Sequence, residues 1–119
     1  MNVAVIGASD NPERYSYMAV KLLKEKGHTV FPVHQRIKEI EGMKVFSSIK
    51  DVPPGIDTIS LYIAADISNK LVDDILSAKP RRIIFNPGAE NADLQDKAKT
   101  QGVMGLNACT LVMLKTGQF

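Results

Sequence analysis

An α/β fold, a three-layer α/β/α sandwich around a mostly parallel sheet of about five strands, is what this sequence predicts. Three observations predict it. Short apolar or β-branched runs alternate along the chain with segments of helical period. Gly, Pro and Asn mark most of the changes of period. The length of 119 residues, 45% hydrophobic and 24% charged, suits one core and one domain over residues 1–119.

Val3–Ile6 is a continuous apolar run, as expected of a strand covered on both faces. Residues 7–12, Gly-Ala-Ser-Asp-Asn-Pro, are a loop. From Tyr15 the period becomes helical, with Tyr15, Met18, Ala19, Leu22 and Leu23 on the inner face and Lys21, Lys24 and Glu25 opposite. Either Asn11-Pro12 or Ser16 would start this helix, and Gly27 would end it. Thr29–Val33 is a second strand, with Pro32 closing its pairing. Residues 34–43 read as loop and Met43–Phe46 as a short extra strand. After the turn Val52–Gly55 comes a third main strand, Thr58–Ile63.

Asp66 would cap one helix carrying Ile67, Leu71, Val72, Ile75 and Leu76 on its buried face, with Pro80 beyond its end. Arg82–Phe85 is a fourth strand and Asn86-Pro87-Gly88 a turn. A polar helix over about 91–100 buries Leu94 and Ala98 and stops at Gly102. Val103–Leu106 is a fifth strand, weakened by Gly105, and residues 107–116 form a last short helix. The order of elements makes this a Rossmann-like sheet with helices on both faces.

Composition narrows the classes of partner. A net charge of +2 is too mild to indicate nucleic acid or a membrane surface. No apolar run is long enough to span a bilayer, and nothing resembles a signal peptide. One cysteine excludes a disulfide framework and a multi-cysteine metal site. The expectation is a soluble protein of a reducing compartment, the cytoplasm. The state of oligomerisation is left open.

In an open parallel sheet, ligands sit beyond the carboxyl ends of the strands, at the switch in strand order. Here that rule selects four segments. Gly7, Ala8 and Ser9 follow the first strand, with Arg14 and Ser16 near the helix start, a setting suited to an anion. Only the first glycine of a G-x-G-x-x-G cradle is present. The second strand ends in Val33-His34-Gln35-Arg36-Ile37-Lys38, with no carboxylate before Glu39. Two cations and a histidine favour a phosphorylated ribose, as in NADP or coenzyme A. Ile63-Ala64-Ala65 follow the third strand, and Asn86, Pro87 and Gly88 the fourth.

These residues carry a resemblance. Val-Ile-Gly-Ala-Ser-Asp-Asn-Pro at 5–12, Val-Phe-Pro-Val at 30–33, Glu-Ile-Glu-Gly-Met-Lys-Val-Phe at 39–46 and Phe-Asn-Pro-Gly-Ala-Glu at 85–90 occur in order over nearly the whole chain. The chain resembles the small stand-alone CoA-binding domain proteins of bacteria and archaea, which look like the CoA-binding Rossmann domain of the succinyl-CoA synthetase alpha subunit. The resemblance implies coenzyme A or an acyl-CoA along the carboxyl edge of the sheet. It implies that the amides of Gly7, Ala8 and Ser9, with Arg14 and Ser16, meet phosphates. It puts Val33 and His34 at the nucleotide, Ile63–Ala65 on the adenine or pantetheine path, and Asn86-Pro87-Gly88 on the far wall. Where that family usually has Asn-Pro after the second strand, this chain has His34-Gln35.

Synthetase relatives carry a phosphorylated histidine in a second domain, which has no counterpart in these residues. Neither histidine has a nucleophile and an orienting group beside it in sequence, so no catalytic residue is assigned. Cys109 and Tyr62 read as packing residues, and no set of His, Asp and Glu has metal-ligand spacing. The leading reading is a non-catalytic carrier, sensor or subunit that binds CoA. The alternatives are an NADP-dependent oxidoreductase and an interaction module without a ligand.

Overall fold

Five of the apolar runs lie side by side as parallel strands. The structure, a computed structural model, describes all residues from Met1 to Phe119. The strands are β1 (Asn2–Ile6), β2 (Thr29–Val33), β5 (Thr58–Leu61), β6 (Arg82–Phe85) and β7 (Met104–Asn107), in the order β2-β1-β5-β6-β7. A small antiparallel hairpin pairs β3 (Glu39–Ile40) with β4 (Met43–Lys44). The helices are α1 (Tyr15–Glu25), α2 (Ala65–Ser68), α3 (Val72–Ser77), α4 (Ala92–Thr100) and α5 (Thr110–Lys115), with a 3₁₀ turn at Ile49–Asp51.

Alternation along each strand divides the core in two. Ala4, Ile6, Ile59, Leu61, Ile83 and Phe85 face Val72, Ile75, Leu76, Leu94 and Ala98 of α3 and α4. Val3 and Val5 point the other way, onto Val20 and Leu23 of α1 and Leu114 of α5. The expected α/β/α layering is therefore present. It places the switch in strand order between β1 and β5, because the chain leaves β1 for β2 on one side and returns to β5 on the other.

Several expectations need correction. The apolar face of α1 is rotated: Ser16, Ala19, Val20 and Leu23 are buried, whereas Tyr15 is 70% exposed and Met18 is also turned out. Spacing alone cannot choose between two adjacent apolar stripes, and here the tightly packed small residues face the sheet. Neither proposed cap starts the helix, which begins at Tyr15 after an extended Arg14. Asn11 is used earlier, its Oδ1 accepting from the Glu13 amide at 3.0 Å in a local turn. The C-terminus is as expected. Gly27 has φ 86°, and the amides of Gly27 and His28 donate to Lys24 and Leu23 in a Schellman closure.

Pro32 does not end the pairing of β2. The strand stays in register with β1 to Val33, opposite Ile6. The Pro32 carbonyl accepts from the Phe46 amide at 2.9 Å, so its missing donor faces the sheet edge rather than β1. The single helix expected from Asp66 is two helices, with Ala64 flanking α2 and Leu71 non-helical at φ −117°, ψ 8°. Ile67 is consequently exposed rather than buried. The loop expected at 34–43 contains β3, and its turn carries positive φ at Glu41 and Gly42, the signature of a type I′ hairpin. The Tyr17 hydroxyl donates to the Glu41 carboxylate, and Lys24 Nζ donates to the Glu41 carbonyl at 2.8 Å, tying the hairpin to α1.

The break between α2 and α3 is held from outside. Asn91 caps α4, its Oδ1 accepting from the Leu94 amide at 3.1 Å. Its Nδ2 donates to Ser68 Oγ at 2.7 Å and to Asn69 Oδ1 at 2.9 Å. Asn91→Ala is expected to destabilise the fold by about 2 kcal/mol, since it removes a cap and strips a partner from buried Ser68. A urea midpoint within error of the parent protein would show that the two helices are held by packing alone.

Candidate functional site

The carboxyl ends of β1 and β2 and the segment after β5 enclose a cavity of about 380 Å³. That size suits a small-molecule ligand group. Six of its lining residues are apolar: Ile6, Val33, Ile49, Ile63, Ile67 and Leu71. The others are His34, Gln35, Arg36, Ser47 and Ser48, with Gly7 at the turn. No carboxylate lines it. Such a lining can take a flat or apolar group and can offer donors to an anion or a hydrogen-bonding edge.

Gly7 makes the turn possible. Its φ is +87°, and a side chain there would meet Ile63 Cγ2 at 2.9 Å and the Tyr62 carbonyl carbon at 3.2 Å. The β1 turn thus rests directly against the backbone leaving β5. His34 shapes its own part of the lining. Its own amide donates to the Phe46 carbonyl at 2.9 Å. Its ring Nδ1 accepts from the amides of Arg36, at 3.0 Å, and Ile37, at 3.2 Å.

Of the sequence-predicted residues, the cavity brings together Gly7, Val33, His34, Arg36 and Ile63. The others lie elsewhere. Ala8 is buried in the α1-side core. The amides of Gly7 and Ala8 both donate to the Val33 carbonyl, at 3.1 and 3.2 Å, so they are not free for a phosphate. Unpaired donors at this edge instead include the amides of Ser9 and Asp10 and those of Tyr15, Ser16 and Tyr17 in the first turn of α1. Arg14 is exposed just before that turn, and the Ser16 side chain is buried beneath it. Ser9 Oγ accepts from the Asn11 amide at 3.0 Å.

Lys38 is exposed beyond the cavity, where its carbonyl accepts from the Val45 amide. Ala64 and Ala65 open α2 between the two lining residues Ile63 and Ile67. Pro87 and Gly88 are exposed at the end of β6, outside the cavity. Asn86 is turned inward and is 1% exposed. Its Nδ2 donates to Ser60 Oγ at 3.0 Å and to the Leu61 carbonyl at 2.9 Å, and its Oδ1 accepts from the Thr110 amide at 2.8 Å. Its side chain is thus committed to joining β5, β6 and α5.

The reading of the sequence missed Ile6, Gln35, Ser47, Ser48, Ile49, Ile67 and Leu71 as lining residues. Ser47–Ile49 arrive because Phe46 forms a parallel bridge with Val33 on the open edge of β2. No local pattern announces that return. Ile67 and Leu71 were assigned to a buried helix face, and the break in the helix is what turns them to the cavity.

Tyr62 packs against the α1-side core, and its buried hydroxyl has no hydrogen-bond partner. Burial pushes that hydroxyl up to about 12, and nearby Cys109 adds to the effect. The neighbouring Ser60 and Thr110 hydroxyls are bonded to each other at 2.7 Å instead. No cluster of three His, Cys, Asp or Glu side chains is placed to hold a metal ion.

Comparison with known proteins adds an independent observation. Residues 1–115 match a family described as a CoA binding domain. The chain is 27% identical over 100 residues to the uncharacterized protein YneT of Bacillus subtilis, covering 84% of this chain and 74% of YneT. It is 43% identical over 62 residues to the alpha subunit of ADP-forming acetate–CoA ligase II from Pyrococcus furiosus. That match covers 51% of this chain but only 14% of the ligase subunit. A crystal structure of an uncharacterized protein superposes with a TM-score of 0.94 at 37% identity, covering 99% of this chain and 97% of the other.

Proposed function

This chain belongs to the CoA-binding domain family, and from that premise we propose that it binds coenzyme A or an acyl-CoA at the carboxyl edge of its sheet, as a non-catalytic carrier, sensor or subunit. The observation that carries the reading is the cavity at the β1/β5 switch, whose lining joins six aliphatic side chains to an arginine, a histidine and two serines and holds no carboxylate. Half of CoA is a polyphosphorylated nucleotide and half an extended, weakly polar arm. The nucleotide would use the His34–Arg36 wall and the serine pair Ser47-Ser48. The free amides of Ser9 and the first turn of α1, with Arg14, would take phosphate oxygens. In this reading Gly7 and Ile63 support the ligand through the shape of the turn, and Ala64, Ala65, Pro87 and Gly88 border the arm.

Calorimetric titration with CoA tests the proposal. Binding in the micromolar range is expected, and no heat at about 1 mM ligand would overturn it. Arg36→Ala and Arg14→Ala are each expected to weaken binding by about 1–3 kcal/mol, the worth of a charge-assisted phosphate bond. Unchanged affinity in either variant would remove that arginine from the phosphate path. Native mass spectrometry of protein purified without added ligand would show which acyl group, if any, is carried.

A further inference from the structure

We propose that His34 is a positioning residue whose protonation state sets the shape of the cavity wall. Neutral, it clasps the loop 34–37. Protonated, it releases that loop and ligand affinity falls. The geometry carries this inference. Backbone amides can only donate, so the two bonds to Nδ1, at 3.0 and 3.2 Å, require an unprotonated Nδ1 and place the ring proton on Nε2. The imidazole thereby acts as an asparagine side chain does in an Asx turn, accepting from residues two and three positions on. Unlike asparagine, it can take a proton on that acceptor atom. A proton there confronts two donors with a third, and the clasp cannot close.

What the clasp holds is part of the site. Gln35 and Arg36 line the cavity beside His34 itself. Ile37, at the far end of the clasp, packs into the α1-side core and anchors the loop. Release would therefore move the cationic wall while leaving its anchor in place. The charged groups around His34 do not supply a partner that would preserve the clasp. Arg36 is the only other ionisable residue in the lining, and it repels a second cation. Lys38 follows it, exposed. From the segment after β4, Asp51 is engaged with the Ser47 hydroxyl at 3.1 Å, and Lys50 is exposed. Asp10, Glu13 and Arg14 of the β1–α1 loop and Asp66 of α2 are exposed to solvent.

The effect on affinity rests on CoA being the ligand, so the test has two arms. In the free protein, an NMR titration follows the His34 ring nitrogens and the amides of Arg36 and Ile37. The expected result is an Nε2–H tautomer at high pH and amide shifts that move with the same midpoint as the ring. An Nδ1–H tautomer, or amides indifferent to ring protonation, would overturn the clasp. In the second arm, CoA affinity is measured at about pH 8 and about pH 5.5, either side of the histidine range. The parent protein is expected to bind about tenfold more weakly at the lower pH, the scale of losing two neutral hydrogen bonds. His34→Asn keeps an acceptor that does not titrate, so the parent's ratio between the two pH values should exceed the variant's by about tenfold. Protonation of CoA's own phosphates is common to both proteins and cancels in that comparison. Tighter binding of the parent protein at low pH would make His34 a phosphate-binding cation and sink the clasp, as would an equal ratio in His34→Asn. If the parent protein bound no CoA at either pH, the ligand assignment would fail, and the NMR arm alone would still decide the clasp.

Discussion

Gly7→Val is expected to lower stability by about 4 kcal/mol and to weaken CoA binding at least about tenfold. Two costs add. A φ of +87° is open to glycine but costs an L-residue about 1–2 kcal/mol, and a β-branched residue more. The new Cβ would also sit 2.9 Å from Ile63 Cγ2, 3.2 Å from the Tyr62 carbonyl carbon and 3.3 Å from Tyr62 Cβ. The Ile63 methyl can shift, but the Tyr62 backbone belongs to the continuation of β5 and is tied to β1 by the hydrogen bond its N–H donates to the Ile6 carbonyl at 2.9 Å. Overpacking of this kind adds about 1–3 kcal/mol. The sum corresponds to a melting temperature lower by about 15 °C. Gly7→Ala carries the same Cβ without the branches and should lose about half as much. Binding should suffer because Gly7 and Ile63 both line the cavity, and the clash pushes them apart. A valine variant as stable as the parent protein would show that the β1 turn is not pressed against β5 as described.

Asn86→Ala should cost about 3 kcal/mol and lower the melting temperature by about 12 °C, with little change in CoA affinity in whatever fraction stays folded. The amide joins three elements at once. Its loss leaves the Thr110 amide without an acceptor in a region where Thr110 itself is 0% exposed. A buried donor with no partner costs about 1–3 kcal/mol. Ser60 retains its bond to the Thr110 hydroxyl, and the Leu61 carbonyl retains the Asn86 backbone amide at 3.2 Å, so these losses are partial. The vacated volume between β5, β6 and α5 adds a cavity term. Thermal unfolding and CoA titration on the same variant separate two roles. Normal stability with lost binding would put Asn86 on the ligand, as the order of motifs along the chain suggests.

Much of this architecture is legible without coordinates, and the places where legibility stops share a cause. The strands β1, β2, β5 and β6 are readable because a sheet covered on both faces demands unbroken apolar runs. The ends of α1 and α4 are readable because Gly27 and Gly102 take the positive φ of the helix closure. The face of α1 is not readable, since Tyr15, Met18 and Leu22 form as regular a stripe as Ser16, Val20 and Leu23, and only packing against β1 and α5 selects the second. The break at Leu71 has no local signal, and Asn91, which bonds Ser68 and Asn69 beside it, lies far along the chain. At the site, Gly7, Val33, His34, Arg36 and Ile63 follow from the rule that ligands sit beyond strand carboxyl ends. Ser47 and Ser48 do not, because they reach that edge by pairing to an open strand.

What the sequence by itself determined, then, is the alternation of elements, the parallel sheet they build, the strand edge at which the cavity opens and the family to which the chain belongs. These depend on local periodicity and on motifs read in order along the chain. Only the tertiary structure decided which donors and acceptors remain free at that edge. The Gly7 and Ala8 amides are bound to Val33, the Asn86 amide to Ser60, Leu61 and Thr110, and the His34 ring to its own loop. A hydrogen bond acts over about 3 Å, and each N–H already engaged in one is withdrawn from a ligand. Whether a polar group serves a ligand or the fold is therefore settled by neighbours brought close in space, which the order of residues does not reveal.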